Sequence, residues 1–214
     1  MFNVLSVPPF SKEIPEPQEP SAEQGYCSES YAVTSAGLLR LIRTPWLSAR
    51  NLDAPIVQFP LPFGGGDWND LARPNAHLDF DFGVMLQEIR SFLEFATEKA
   101  PMECQADIVL VDNVPTLYKP YTCDGSDLTV SHQDPDVNRG HWLLDIHSHP
   151  DKPYFSSTDN NDDAPMIKIS MCVGRLRYKP SYVARICLGR GFFIPLDFEK
   201  TGIPISSIGL EFES

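Results

Sequence analysis

The chain has 214 residues, of which 42% are hydrophobic and 11% aromatic, so it can bury one substantial core with a small appendage. Its 29 acidic residues outnumber its 17 basic residues and give a formal net charge of −12. This charge argues against binding to nucleic acid, whose phosphates require a basic face, and against adhesion to an anionic membrane surface.

The sequence predicts a cytoplasmic protein. The opening stretch MFNVLSVPPFSKEI has no basic leader before an apolar run, and no run in the chain reaches the roughly 18 to 20 apolar residues of a membrane span. The cysteines include no C-x-x-C pair, which argues against a zinc finger, a redox motif or a disulfide framework. We therefore expect reduced, buried thiols at Cys27, Cys104, Cys123, Cys172 and Cys187.

Two regions are predicted before residue 76. Residues 1–24 carry five prolines among few apolar residues, which indicates a flexible tail. Residues 25–75 predict a small β-rich extension, in which YAVTSAGLLRLIRTPWL (31–47) favours two strands around a turn at residues 35–37. The glycine-rich PLPFGGGDWND (60–70) lacks the G-K-[ST] of a phosphate loop and is interpreted as a connector.

A helix is predicted over LDFDFGVMLQEIRSFLEFATEKA (78–100). Asp79 or Asp81 could cap its start, and Pro101 stops it. Apolar residues recur at spacings of three and four and form one face: Phe82, Met85, Leu86, Ile89, Phe92, Leu93 and Ala96.

Several strands follow the predicted helix. QADIVLVDN (105–113), the run 141–149, MIKISMCVG (166–174) and SYVARICLGRGFF (181–193) each favour a strand, whereas residues 114–140 are interpreted as a polar insertion. We therefore expect an α/β protein with a mixed, largely antiparallel sheet flanked by helices. Its main domain spans 76–200, and 201–214 form a C-terminal segment.

The segment HWLLDIHSHPDKPYFSSTDNNDD (141–163) contains a candidate metal site. On a strand, residues i and i+2 point to the same side, so His147 and His149 can reach one ion. Imidazole is a good zinc ligand, and an oxygen ligand such as Asp159 would leave a fourth position for water. SSTDNNDD also favours a helix start that presents Asp159 to the site, with Asp162-Asp163 as solvated acids of that start.

This pattern resembles the JAMM (MPN+) motif of zinc metallopeptidases, H-[ST]-H-P followed by S-x-x-D. It is matched by His147, Ser148, His149 and Pro150, then by Ser156 and Asp159. The family also has an upstream glutamate, often in P-x-E, and PMECQ supplies Pro101 and Glu103 directly after the predicted helix. The resemblance covers roughly residues 78–195.

The spacing departs from the family at one point. Six residues separate the second histidine from Ser156, where the usual pattern has seven. Ser157 is therefore an alternative for the serine role. The usual gap would put Asn160, a poorer zinc ligand, at the aspartate position, which favours Asp159.

The resemblance implies an MPN/JAB-like (cytidine deaminase-like) fold and a Zn²⁺ ion held by His147, His149 and Asp159. It implies Glu103 as general base and Ser156 as donor to the oxyanion, in hydrolysis of amide bonds after the C-terminus of a ubiquitin-like protein. The stretches GLLRLIRTPWL, FSSTDNNDD and SYVARICLGRGFFIPL are most similar to the PRTRC system A proteins, a bacterial group. For this chain, the resemblance implies as partners a ubiquitin-like protein, the conjugates of that protein, and relatives of activating and conjugating enzymes.

Two other functions fit the same sequence. The chain could be an inactive MPN scaffold that binds partner proteins, or a zinc hydrolase of a small molecule, since H-x-H also occurs in phosphoesterases and amidohydrolases. Asp159 and Ser156 could serve only as helix caps. His77, His132 and His141 lie outside the motif and are interpreted as non-catalytic.

Overall fold

The computed structural model describes residues 4–6, 27–34, 37–44, 46–55, 75–78, 80–111, 114–122 and 142–213. The chain divides into two compact units, Met1–Asp79 and Phe80–Ser214. The glycine-rich stretch 60–70, most of the expected tail, and Cys123, His132 and His141 lie outside the described residues. Among the helices that are described, none is long and apolar enough to cross a membrane.

The first unit contains a five-stranded sheet. Its strands follow in the order β1 (Val4–Ser6), β2 (Ser28–Thr34), β3 (Gly37–Arg43), β4 (Leu47–Pro55) and β5 (Asn75–Leu78). The two predicted strands are confirmed as β2 and β3, which pair in antiparallel from Thr34 and Gly37, whereas residues 35 and 36 of the predicted turn lie outside the described residues. Residues 4–6 differ from the expected tail, since β1 pairs with β2 in parallel.

The second unit contains a seven-stranded sheet and two α-helices. In chain order its elements are α1 (Phe82–Lys99), β6 (Cys104–Val111), β7 (Val114–Thr122), β8 (Trp142–Ser148), α2 (Ser157–Asp163), β9 (Ile167–Gly174), β10 (Ser181–Leu188), β11 (Phe193–Pro195) and β12 (Glu211–Phe212). Two short 3-10 helices, Glu199–Thr201 and Ile205–Ile208, precede β12.

The strand order of this sheet is β11-β10-β9-β8-β6-β7, with β12 also pairing with β10. The pairs β8–β9 and β10–β12 are parallel, and the others are antiparallel. The mixed, largely antiparallel α/β fold is therefore confirmed. The parallel step from β8 to β9 passes through α2, which places the end of β8 and the start of α2 close together.

Helix α1 has the predicted cap and the predicted apolar face. The Asp81 carboxylate accepts hydrogen bonds from the backbone N–H groups of Gly83 and Val84 at 2.9 and 3.1 Å, and the helix ends before Pro101. Six of the seven predicted apolar residues are buried, and Phe82 is half-buried. Because this face packs on β6 and β7, α1 holds the start of β6 in place.

Two strand predictions were wrong in detail. Residues Val114–Thr122 are not part of an insertion but form β7, the edge strand beside β6. In the sequence, Pro115 and Pro120 argue against a strand. An edge strand nevertheless tolerates proline, because one side of it has no neighbouring strand to hydrogen-bond. The strand predicted over 181–193 is two strands, separated by a turn with positive φ at Gly189, Arg190 and Gly191.

The described cysteines are free thiols. Cys104, Cys172 and Cys187 are buried, as predicted, whereas Cys27 is exposed.

Candidate metal centre

Two histidines with unsatisfied ring nitrogens lie where β8 ends. His147 is half-buried near the end of β8, and His149 is buried just beyond it, where its N–H donates to the Val173 carbonyl at 2.8 Å. The two ring centroids are 5.1 Å apart. Nε2 of His147 and Nδ1 of His149 are buried without a hydrogen-bond partner among the described residues. Buried polar atoms normally find partners, so this pair fits a site that completes its bonding with a metal ion.

The loop after His149 is fixed by close contact with the end of β9. The Arg175 N–H donates to the Asp151 carbonyl at 2.7 Å. A Cβ atom at Gly174 would lie 2.3 Å from that same carbonyl oxygen and 2.6 Å from the Pro153 nitrogen. Only glycine allows this approach, so Gly174 sets the path of the loop that leaves His149.

Asp159 reaches the histidines from the first turn of α2. Its Oδ1 lies 3.7 Å from Nε2 of His147, while its Oδ2 accepts a hydrogen bond from the Ser156 N–H at 2.5 Å. Burial alone would raise the pKa of Asp159, but the hydrogen bonds with Ser156 and the nearby histidines outweigh it and hold that pKa below its ordinary value. The carboxylate is therefore ionised and oriented with one oxygen toward His147.

Ser156 caps α2 while its hydroxyl keeps a proton to donate. Its Oγ accepts from the Asp159 N–H at 3.2 Å, which completes a reciprocal capping box. An accepting hydroxyl can still donate its own hydrogen, so capping and oxyanion stabilisation are compatible. Ser157 is exposed at the first helical position, and the Asn160 side chain accepts a hydrogen bond from Arg185 instead of facing the histidines.

Glu103 lies beside the histidines because of strand register. Gln105 of β6 pairs with His147 of β8, and the same antiparallel register continued by two residues places Glu103 opposite His149. The Cys104 N–H donates to the Ser148 hydroxyl at 2.9 Å, which ties the two chain segments together. Burial raises the pKa of Glu103, with His149 acting to lower it and Asp159 to raise it further. A half-buried carboxyl with a raised pKa is suited to exchanging a proton.

Cys172 is a residue of this cluster that the sequence analysis treated only as a core thiol. It pairs with His147 in the β8–β9 register, and the potential ligand atoms of His147, His149 and Cys172 all lie within 4.8 Å of one another. Burial raises the pKa of the Cys172 thiol to about 12. The alternation along β9 could have placed it here, because Cys172 shares a strand face with Lys168 and Ser170.

One expectation for α2 was wrong. Asp163 is not a solvated acid at the helix start but its last residue, 2% exposed and paired with Lys168 and Arg185. Its neighbour Asp162 is exposed, as expected. His77 is exposed on β5 of the first unit.

The family comparison covers this same region. Residues 85–186 match the family of prokaryotic homologs of the JAB domain. This match supports a JAB/MPN assignment for the second unit, and the matched segment contains Glu103, His147, His149, Ser156 and Asp159. A search of curated proteins found no match. The JAB-like segment thus includes every residue that the structure brings to the candidate centre.

Proposed function

We propose that the chain is a zinc-dependent peptidase or isopeptidase of the JAMM type. It hydrolyses amide bonds that follow the C-terminus of a ubiquitin-like protein. The observation that carries this proposal is the convergence of His147, His149 and Asp159, with Glu103 beside them, inside the segment that matches the JAB family.

The donor set suits a catalytic zinc ion. Two imidazoles and one carboxylate, His147, His149 and Asp159, form a three-ligand set that leaves a coordination position open. Nε2 of His147 and Nδ1 of His149, which accept or donate no hydrogen bond among the described residues, are consistent with this assignment. When bound, zinc would polarise the scissile carbonyl and lower the pKa of the attacking water.

Glu103 and Ser156 supply the remaining chemistry. The Glu103 carboxylate accepts a proton from water as the water oxygen attacks the carbonyl carbon, and it then gives that proton to the departing amine nitrogen as the C–N bond breaks. The Ser156 hydroxyl donates a hydrogen bond to the oxyanion that forms on the carbonyl oxygen. No covalent enzyme intermediate is required.

Tyr154 provides a surface for an extended substrate next to the centre. Tyr154 is 52% exposed as a residue, and its ring packs edge-on against His149, with centroids 4.5 Å apart. A flexible Gly-Gly tail has no side chains, so it can enter a narrow cleft beside such a ring where a folded domain cannot. This supports a ubiquitin-like protein as substrate. The resemblance to the PRTRC system A proteins supports activating and conjugating enzyme relatives as further partners.

A cleavage assay tests this proposal. The zinc-loaded full-length chain is incubated with fusions and isopeptide conjugates of a ubiquitin-like protein that ends in Gly-Gly, and with a phosphodiester substrate in parallel. We expect amide cleavage directly after the tail and no phosphodiester turnover. Phosphodiester turnover without amide cleavage would favour a small-molecule hydrolase, and no cleavage of any substrate by the zinc-loaded chain would favour the MPN scaffold.

A further inference from the structure

Four buried charged side chains lie behind the candidate centre. Asp145, Asp163, Lys168 and Arg185 are between 2% and 7% exposed, and we refer to them as the charge cluster. Lys168 Nζ lies 2.6 Å from Asp145 Oδ2 and 2.8 Å from Asp163 Oδ1. Burial alone would lower the pKa of Lys168, but the two carboxylates outweigh it and hold that pKa above its ordinary value. The cluster therefore contains two positive and two negative charges.

Lys168 connects the two elements that carry the candidate metal ligands. Asp145 precedes His147 by two residues on β8, so both side chains lie on the same face of the sheet. Asp163 follows Asp159 by four residues on α2, which is one helical turn. The Lys168 ammonium group thus bridges Asp145, on the strand that carries His147, and Asp163, on the helix that carries Asp159.

Arg185 of β10 holds α2 from a third strand. Its guanidinium donates to Asp163 Oδ2 at 2.6 and 3.1 Å and to the Asp159 carbonyl at 3.2 Å. It also donates to the Asn160 side chain. The guanidinium lies between the rings of Phe155 and Phe193, at 3.8 and 4.1 Å from their centroids. Stacking between two rings and two N–H bonds to one carboxylate oxygen give Arg185 a fixed orientation that lysine cannot reproduce.

Helix α2 depends on these contacts for its position. It has seven residues, and a helix this short is not stable by itself in water. Buried ion pairs add little net stability compared with apolar packing, because removing charges from water offsets most of their attraction. The charge cluster instead fixes the direction of α2, because its hydrogen bonds are directional. Apolar packing has no such directional contacts.

We propose that Lys168 and Arg185 are positioning residues that hold Asp159 at the correct spacing from His147 before metal binds. The inference rests on the proposed function, since it assumes that these two residues are metal ligands. Neither positioning residue touches the reacting atoms in this account. Both hold the Asp159 carboxylate through α2. Replacing either residue should therefore weaken zinc binding while the metal-free protein still folds.

The test compares zinc affinities of full-length variants by competition with a chromophoric chelator. Arg185→Lys keeps the positive charge but loses the paired N–H donors of the guanidinium and its stacking on the two rings. We expect its zinc affinity to be about 10- to 100-fold weaker than that of the wild type, which is the typical effect of losing a residue that orients a metal ligand. Arg40→Lys is the matched control. Arg40 is a buried arginine of the first unit that pairs with Glu29, and its replacement should leave zinc affinity unchanged. Thermal unfolding of the metal-free proteins reports any loss of fold.

A second variant covers the case in which Arg185→Lys does not fold. Asp145→Asn with Lys168→Met removes one charge of each sign and leaves Asp163 paired with Arg185, and it should weaken zinc binding by about tenfold or more. Wild-type zinc affinity in either folded variant would overturn the positioning role, as would unfolding of both.

The same titration separates this inference from the proposed function. If the wild-type protein binds zinc tightly but cleaves no substrate, and Arg185→Lys binds zinc more weakly, the positioning role is upheld and the proposed hydrolase activity is overturned. Wild-type protein that binds no zinc would overturn both.

Discussion

Glu103 is the residue on which hydrolysis depends in this account. Glu103→Gln keeps the shape and some hydrogen bonding of the side chain but removes the base. We expect zinc affinity to stay at the wild-type value while the cleavage rate falls by a factor of about 10² to 10⁴. The comparison of single-turnover rates with zinc affinity in both proteins checks this, and a variant that cleaves as fast as wild type would show that Glu103 is not the base.

The raised pKa of Glu103 also predicts pH dependence. In the metal-free protein, burial and the Asp159 carboxylate raise the pKa of Glu103 above the ordinary glutamate value of 4.5, while His149 acts to lower it. A carboxyl whose folded pKa is raised adds stability only below its unfolded pKa, and that contribution is lost as pH rises through the folded pKa. Metal-free Glu103→Gln should therefore be at least as stable as wild type at neutral pH. A clear drop in its Tm would contradict the assigned environment.

At the residue scale, spacing together with the resemblance to the JAMM motif predicts the side chains that the structure brings together. His147, His149 and Asp159 were chosen from H-x-H-P and S-x-x-D, and their roles as ligands remain predictions. Cys172 and Asp163 were not recognised. The alternation along β9 indicates the face on which Cys172 lies, but its place beside His147 depends on β9 pairing with β8. The burial of Asp163 depends on the cations that α2 meets, which no local pattern contains.

At the element scale, Gly174 at the end of β9 controls the loop after His149. A methyl group there collides with the backbone of residues 151–153, so Gly174→Ala should displace the loop and with it His149. We expect zinc affinity to fall by about tenfold or more, since misplaced ligand geometry typically has effects of this size. Gly83→Ala in the first turn of α1 is the control, because its added methyl group would meet only the Asp81 side chain, at 3.2 Å. Equal zinc affinity in both variants would contradict the importance of this close contact.

The elements differed in how well the sequence predicted them, for physical reasons. Helix α1 was predicted with its cap and its buried face because a long amphipathic period leaves little ambiguity. The alternation along β9 suggested one apolar and one polar face, yet both faces are buried. Lys168 is buried because two carboxylates from other elements neutralise it, and this compensation is not visible within the strand.

At the scale of the whole molecule, the net charge of −12 predicts which partners are excluded. We expect no binding to duplex DNA or RNA at physiological salt, even in the range of roughly 1 to 100 µM that is typical of non-specific binders. Fluorescence anisotropy of labelled duplexes checks this. Salt-sensitive binding in that range would reveal a basic patch strong enough to override the overall charge.

The most direct test of the whole account is the zinc content of the purified full-length chain and its variants. Wild type and Glu103→Gln should each bind about one zinc ion per chain, because Glu103 is not a ligand. The single variants His147→Ala, His149→Ala and Asp159→Ala should each lose tight binding. Full zinc occupancy in the double variant His147→Ala/His149→Ala would contradict the site and, with it, the proposed mechanism.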